Sequence, residues 1–198
     1  MNKITKVLVG TNNKGKYREI CDLLPIRVEK LSPKKLGILS PEETGHSFEK
    51  NSLIKASYFS KKTNLICLSD DSGLEVDLLK GEPGIYSSRW SGKKNNFNLA
   101  IEKIYKKLKN TKNDWEKYNA AQFCCCMTLY WPNGKSYSSK GIIKGKISIK
   151  KRGKNGFGYD PIFIPEGYNQ TFAEMDLKLK MSIDHRFKAF KKIKKFFF

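Results

Sequence analysis

The first 24 residues predict a buried strand, a loop of turn-forming residues and an amphipathic helix, and this order limits the fold more than any other segment. Residues 4–9 are a short apolar run, typical of a buried strand. The loop Gly10–Lys16 follows, and Pro25 ends the helix after it. The helix is predicted from apolar residues at the spacing of one helical face: Tyr17, Ile20, Cys21 and Leu24.

The rest of the chain continues the alternation of helices and strands. Ser47 is a candidate N-cap for a helix over about 48–62, and Asn96 is one for a helix that follows it. We predict a strand over 65–69, a hairpin of 120–131 and 135–149 around Asn133-Gly134, and a last helix over 182–198. The pattern indicates an α/β protein with a mixed sheet, and the length suits one domain over 1–198.

The charge is strongly positive but does not by itself identify a function. The net charge is +20, from 39 Lys and Arg against 19 Asp and Glu. Such a charge attracts nucleic acid, anionic membranes or phosphorylated small molecules. The excess is almost all lysine, which an A/T-rich genome supplies together with the many Asn, Ile, Phe and Tyr residues. The charge therefore leaves all of these partners open.

The cysteine spacing argues against a thiolate metal site, and the hydropathy argues against a membrane-spanning or secreted protein. The five cysteines are an odd number without a C-x-x-C pair, and the run Cys124–Cys126 lacks metal-ligand spacing. No apolar run approaches the ~18 residues of a membrane span, and residues 1–9 lack the apolar core of a signal peptide. We expect a cytoplasmic protein with free thiols and no membrane partner.

The loop Gly10–Lys16 resembles a P-loop in spacing, but Tyr17 stands where a Ser or Thr would hold Mg²⁺. A Gly/Asn loop that enters a helix still presents backbone N–H groups and a positive dipole end to a phosphate. Lys16 adds a cation. An ordinary strand–helix turn is the alternative for this segment alone.

Asp70 and Asp71 follow the second predicted buried strand, in what reads as a loop. Active sites of α/β proteins favour the carboxyl ends of strands. Adjacent carboxylates repel unless a cation or hydrogen bonds offset the charge, and Mg²⁺ prefers oxygen ligands. Glu43 can complete such a set. A solvated acidic turn is the alternative.

Two further segments suit a nucleotide base. Gly156–Pro161 combines two glycines with aromatic faces for stacking, and Asp160 can accept from a base N–H group. His185 and Arg186, five and six residues after Lys180, are donors. A 6-oxo purine accepts at O6 where adenine donates, so donors here favour hypoxanthine. A structural aromatic loop and a surface His–Arg pair are the alternatives.

In this order the motifs resemble the inosine triphosphate pyrophosphatase family, which removes abnormal purine nucleotides, and they span residues 7 to about 190. The matching segments are Thr11–Lys16, Glu43–Gly45 with Phe48, Asn51 and Lys55, Asp70–Leu74, Pro83–Ser87, Gly156–Phe163, and Lys180 with Ser182, His185 and Arg186. Asn12 departs from the family pattern, which usually has glycine there.

The resemblance implies a fold, a reaction and a set of site residues. It implies two α/β lobes around a long mixed sheet with a cleft between them, in a homodimer that cleaves ITP, dITP or XTP to the monophosphate and pyrophosphate. It implies Mg²⁺, or Mn²⁺ as a substitute, held by Glu43 and Asp71, with Asp71 activating water and Asp70 beside it. The implied substrate-binding residues are Thr11, Asn12, Asn13, Lys14, Gly15, Lys16, Lys55, Ser72, Phe157, Gly158, Tyr159, Asp160, Lys180, His185 and Arg186.

Three other functions stay open at this point. A basic nucleic-acid-binding protein explains the charge but gives no role to the carboxylates, so we expect no specific nucleic acid partner. A P-loop kinase or GTPase conflicts with Tyr17. A pyrophosphatase for modified pyrimidines or other deoxynucleotides would use the same kind of site.

Overall fold

The computed structural model describes residues 3–92 and 95–198. Its strands are β1 (Lys6–Val9), β2 (Glu29–Leu31), β3 (Cys67–Val76), β4 (Ala120–Tyr130), β5 (Ser136–Ile147) and β6 (Phe163–Pro165). Its α-helices are α1 (Lys14–Leu23), α2 (Phe48–Thr63), α3 (Phe97–Thr111), α4 (Leu177–Ile183) and α5 (His185–Ile193). Short 3-10 helices lie at Pro33–Leu36, Asp77–Leu79, Gly84–Tyr86, Arg89–Ser91, Trp115–Tyr118, Asp160–Ile162 and Lys194–Phe196.

The strands form one mixed sheet in the order β2-β1-β3-β4-β5-β6, which confirms the predicted α/β class. β1 runs parallel to both β2 and β3, with Leu8 opposite Leu31 and Cys67. β5 and β6 are antiparallel. The predicted hairpin is confirmed as β4 and β5, and the amide of Gly134 donates to the carbonyl of Trp131 in its turn.

The chain forms two compact units. The first unit contains residues 1–71, 125–141 and 185–198, and the second contains 72–124 and 142–184. Three strands, β3, β4 and β5, contribute residues to both units. The single domain predicted for residues 1–198 stays a prediction.

Each unit has its own apolar core. In the first unit, alternate residues of β1 serve different clusters, as a strand's period of two requires. Val7 and Val9 join a cluster with residues of α1 and α5, whereas Leu8 packs with Phe59 of α2. In the second unit, α3 buries Ala100, Ile101, Ile104 and Leu108 in a cluster with residues of β3, β4 and β5.

Two local predictions were wrong. Asp70 and Asp71 lie inside β3, which continues to Val76, and not in a loop after the strand. The last helix is two helices, because Asp184 has extended backbone (ψ 173°) and caps α4. Lys180 therefore belongs to α4, while His185 begins α5.

Most other helix signals were confirmed. The side chains of Ser47 and Asn96 cap α2 and α3 as predicted. Over residues 3–92 and 95–198, no helix is both long and apolar enough to cross a membrane.

Candidate active site

The parallel pair β1 and β3 brings the first loop close to the acidic pair. Gly10 follows β1, and its amide donates to the carbonyl of Leu68 at 2.8 Å. The hydroxyl of Ser69 donates to the carbonyl of Gly10 at 2.9 Å. A Cβ atom at Gly10 would lie 2.1 Å from that hydroxyl oxygen, so only glycine fits. These two hydrogen bonds hold the start of the loop next to Ser69, the residue that precedes Asp70.

The loop from Thr11 to Lys16 is ordered by its own side chains. Asn13 caps α1 and accepts from the amide of Lys16 at 3.0 Å. Asn12, at the family's glycine position, donates to the carbonyl of Ile38 and to the Ser40 hydroxyl, both at 3.1 Å. Among the described non-glycine residues, positive φ occurs at Asn64, Lys80 and Asn95, so Asn12 keeps ordinary backbone. Asparagine therefore fits this position without a left-handed backbone, although the family usually has glycine there.

Two lysines meet three carboxylates in the first unit. The ammonium group of Lys55 lies 2.5 Å from Glu43 Oε1 and 3.7 Å from Asp71 Oδ1. The ammonium group of Lys16 lies 3.5 Å from Asp70 Oδ2 and 3.9 Å from Asp71 Oδ1. We call these five residues the carboxylate–lysine cluster. Sequence reasoning proposed all five for the site, and the structure brings them together.

Burial and the neighbouring charges act in opposite directions on the pKa values of this cluster. Burial raises the pKa of Asp71 above its ordinary value even though Lys55 and Lys16 act to lower it. Burial would lower the pKa of Lys55, but Asp71 and Glu43 outweigh it and raise that pKa. For Glu43 burial is outweighed by Lys55, and its pKa falls. Lys55 is therefore charged at neutral pH, and Asp71 is a stronger base than an exposed aspartate.

Arg186 approaches Asp70 from α5 and is almost fully buried. Its Nε donates to Asp70 Oδ2 at 3.2 Å, and its Nη1 donates to Glu19 Oε2 at 2.7 Å. Asp70 is 0% exposed and Glu19 3%. The resemblance implies that Arg186 reads the base, but here its guanidinium holds two buried carboxylates. Sequence reasoning missed Glu19, which lies outside the predicted apolar face of α1 and has no local signal of its role.

The second unit contains a separate ion pair beside aromatic rings. Lys180 is 1% exposed, and its ammonium group donates to Asp160 Oδ2 at 2.8 Å. That oxygen also accepts from the amide of Phe157 at 2.8 Å. The Lys180 nitrogen lies 5.3 Å from the centre of the Phe157 ring, within reach of a cation–π interaction. Asp160 thus orders the aromatic loop.

The remaining predicted residues differ in exposure. Tyr159 is 2% exposed, and its hydroxyl donates to the carbonyl of Ser87 at 2.9 Å. His185 is also buried, whereas Lys14 is exposed and Ser72 and Gly158 are half-buried. The positions of Tyr159 and His185 show that these side chains pack inside their units.

The cluster suits a hard cation in its donor chemistry. Glu43 and Asp71 both direct carboxylate oxygens at the ammonium group of Lys55, so one position between them already holds positive charge. Mg²⁺ prefers such oxygens and commonly takes one or two carboxylates together with substrate phosphates. Within the described parts of the chain, no three His, Cys, Asp or Glu side chains form a group able to hold a metal ion. In donor chemistry, Glu43 and Asp71 fit such an ion.

Known proteins resemble this chain over nearly its whole length. The sequence model of the Ham1 family matches residues 7–196. The dITP/XTP pyrophosphatase of Zymomonas mobilis is 41% identical over 95% of this chain and 90% of its own. The enzyme of the same name from Flavobacterium johnsoniae is 43% identical over 93% of each chain.

Solved structures agree with this sequence similarity. The Staphylococcus aureus Ham1 protein superposes with a TM-score of 0.83 at 35% identity, covering 96% of this chain and 97% of its own. A HAM1 protein from Coxiella burnetii gives a TM-score of 0.86 at 32% identity, covering 97% and 98%. The resemblance inferred from the motifs is confirmed, and the chain belongs to the Ham1 family.

Proposed function

We propose that this protein hydrolyses non-standard purine nucleoside triphosphates, such as dITP, ITP and XTP, to the monophosphate and pyrophosphate. The observation that carries the proposal is the carboxylate–lysine cluster, in which Asp70 and Asp71 of β3 meet Lys16 of α1 and Lys55 of α2. Curated relatives at about 40% identity named dITP/XTP pyrophosphatases support the substrate class. The proposed role is removal of such nucleotides from the pool that supplies DNA and RNA.

The first unit would bind the phosphates and activate water. Backbone N–H groups of the loop from Thr11 to Lys16, at the start of α1, would hold the triphosphate with the ammonium groups of Lys16 and Lys55. Asp71 would accept a proton from the water that attacks the α-phosphorus. The bond from the α-phosphorus to the bridging oxygen then breaks, and the ammonium groups of the two lysines offset the negative charge of the departing pyrophosphate.

Glu43 and Asp71 are the residues that we propose to hold Mg²⁺, with Mn²⁺ as a substitute. Bound there, the ion would neutralise the charge that develops on the phosphate oxygens. Lys55 already lies between these carboxylates and would move toward the phosphates.

The second unit would contribute to recognition of the base. The ring of Phe157 offers a stacking face, and Asp160 holds the aromatic loop through the amide of Phe157. Lys180, paired with Asp160, supplies a cation. For His185 and Arg186, which belong to the first unit, we retain the proposed role at the 6-oxo edge, although Arg186 here binds Asp70 and Glu19.

The reaction is tested by separating the products from dITP, XTP, GTP and ATP, each with and without Mg²⁺. We expect dIMP and pyrophosphate from dITP, loss of turnover with EDTA, and much slower turnover of ATP and GTP. Release of dIDP and inorganic phosphate would instead indicate an ordinary nucleoside triphosphatase. No turnover, together with salt-sensitive binding of RNA, would favour the nucleic-acid-binding alternative.

Replacement of Asp71 with Asn tests the assignment of the base. The amide is close in size but cannot accept the proton, so we expect kcat to fall about 10²–10⁴-fold with little change in melting temperature. Asp114→Asn is the control, because that side chain is 46% exposed and pairs with Lys117 at the surface. Turnover of Asp71→Asn equal to that of the control would reject the assignment.

We also propose, on the family resemblance alone, that the protein is a cytoplasmic homodimer. Light scattering coupled to size-exclusion chromatography tests the oligomeric state, and a monomeric mass at micromolar concentration would contradict it.

A further inference from the structure

Asn51 is a buried amide that bonds to the acidic cluster on one side and to a loop on the other. It lies in the first turn of α2 and is 0% exposed. Its Nδ2 donates to Asp71 Oδ2 at 3.1 Å, and its Oδ1 accepts from the amide of Gly45 at 2.8 Å. Both ends of the side chain are therefore used in a place from which water is excluded.

The orientation of the amide follows from its neighbours. The backbone N–H of Gly45 can only donate, so the oxygen of Asn51 must face it. The nitrogen of Asn51 must then face Asp71, whose carboxylate can only accept when ionised. An exchange of the two atoms would place donor against donor and acceptor against acceptor.

This arrangement gives the two oxygens of Asp71 different partners. Oδ2 receives the neutral amide of Asn51, whereas Oδ1 lies 3.7 Å from Lys55 and 3.9 Å from Lys16. Asn51 and Lys55 are four residues apart on α2 and so share a helix face. Asn51 therefore sets the rotation of the carboxylate that presents Oδ1 to the lysines.

The same amide also holds the loop that carries Glu43. Gly45 is two residues after Glu43, and its amide is bound by Asn51. A Cβ atom at Gly45 would lie 2.7 Å from both Asn51 Oδ1 and Lys50 Cβ, so the loop packs tightly against the helix at this point. One side chain thus connects the loop of Glu43 with the carboxylate of Asp71.

We propose that Asn51 is a positioning residue of the pyrophosphatase reaction, which orients Asp71 and fixes the Glu43 loop relative to it. The inference rests on the proposed function. It assigns a role to a residue that the motif comparison matched but left without one.

Two substitutions separate the two bonds. Asn51→Asp keeps the size and the acceptor for Gly45 but removes the donor to Asp71, whereas Asn51→Leu is uncharged and removes both bonds. We expect kcat for dITP to fall about 10- to 100-fold in both variants, the loss usual for a hydrogen bond to a charged group. For Asn51→Leu we expect KM to change less than about threefold, because the phosphate-binding lysines remain.

The matched control is Ser52→Ala. Ser52 is the next residue of α2 and is also 0% exposed, but its hydroxyl bonds to the Glu49 carbonyl and to Thr128. If the loss of turnover came only from altering a buried polar side chain of α2, Ser52→Ala would lose turnover too. We expect it to lower the melting temperature and leave kcat within about twofold of the wild type.

A second readout does not depend on turnover. Digestion with a glutamate-specific protease reports on the loop, because Glu42 and Glu43 lie in it. Asn51→Leu should be cleaved there faster than the wild type, whereas Asn51→Asp, which keeps the bond to Gly45, and Ser52→Ala should not. Equal cleavage of Asn51→Leu and wild type would overturn the proposed hold on the loop.

The kinetic outcomes distinguish the two proposals. A wild type that releases no pyrophosphate from dITP refutes the proposed function, and cleavage of the loop still tests the Gly45 bond. An active wild type with kcat unchanged in both Asn51 variants overturns the positioning role. A rise in KM of Asn51→Leu with unchanged kcat also overturns it and would assign Asn51 to substrate binding instead.

Discussion

Replacement of Arg186 with methionine should strongly destabilise the first unit. The guanidinium binds Asp70 at 3.2 Å and Glu19 at 2.7 Å, and all three side chains are at most 4% exposed. Methionine is close in length, so the variant removes the charge with little loss of volume. Two carboxylates then remain buried without the cation that joins them.

The size of the effect follows from this burial. Removing one partner of a buried ion pair costs about 3–5 kcal/mol, because the remaining charge stays desolvated. For a chain of this length each kcal/mol lowers the melting temperature by about 2–4 °C, which predicts a decrease of roughly 6–20 °C. Thermal unfolding followed by circular dichroism measures it.

Two further variants test the reasoning. Arg152 pairs with Glu174 at 3.5 Å, but the side chains are 31% and 28% exposed, so Arg152→Met should cost only about 1 kcal/mol. The double variant Glu19→Gln/Arg186→Met should recover part of the stability lost in Arg186→Met, since one buried charge is gone. If Arg186→Met melts no lower than Arg152→Met, or if Glu19→Gln recovers nothing, the buried pair does not stabilise the unit as argued.

Two other predictions concern packing and thiol reactivity. Gly10→Ala should lower the free energy of unfolding by about 1–3 kcal/mol, because the new Cβ would lie 2.1 Å from Ser69 Oγ. Urea unfolding measures this as a lower midpoint concentration, and an unchanged midpoint would contradict the close packing. In the folded protein at pH 8, a thiol reagent such as DTNB should modify Cys21 alone and slowly, because Cys21 is half-buried with a raised pKa while the other four cysteines are buried, and burial raises the pKa of Cys67 to about 12. All five should react in guanidinium, and rapid modification of more than one in the native state would refute the burial argument.

The elements that sequence patterns predicted correctly depend on interactions between near neighbours. Ser47 caps α2 through the amide of Lys50, three residues away. Asn13 caps α1 in the same way through the amide of Lys16. The β4–β5 turn depends on Gly134, whose φ of 88° suits glycine. Such signals act over one turn and are readable without knowledge of the rest of the fold.

The candidate site was predicted only in part for the same reason. Residue types and order pointed to Glu43, Asp71 and the lysines. The acidic pair was nevertheless expected in a loop, because two adjacent carboxylates inside a buried strand violate the local preference of strands for apolar residues. Glu19 and Asn51 had no local signal of their roles.

The sequence by itself determined the alternation of strands and helices, their caps and turns, and the residue types of the site. Only the tertiary structure decided that Asp70 and Asp71 lie within β3. It supplies Arg186 from 116 residues away and Asn51 from 20 residues away. A charge is tolerated in a strand when such partners offset its desolvation, and those partners are defined by the fold and not by their neighbours in the chain.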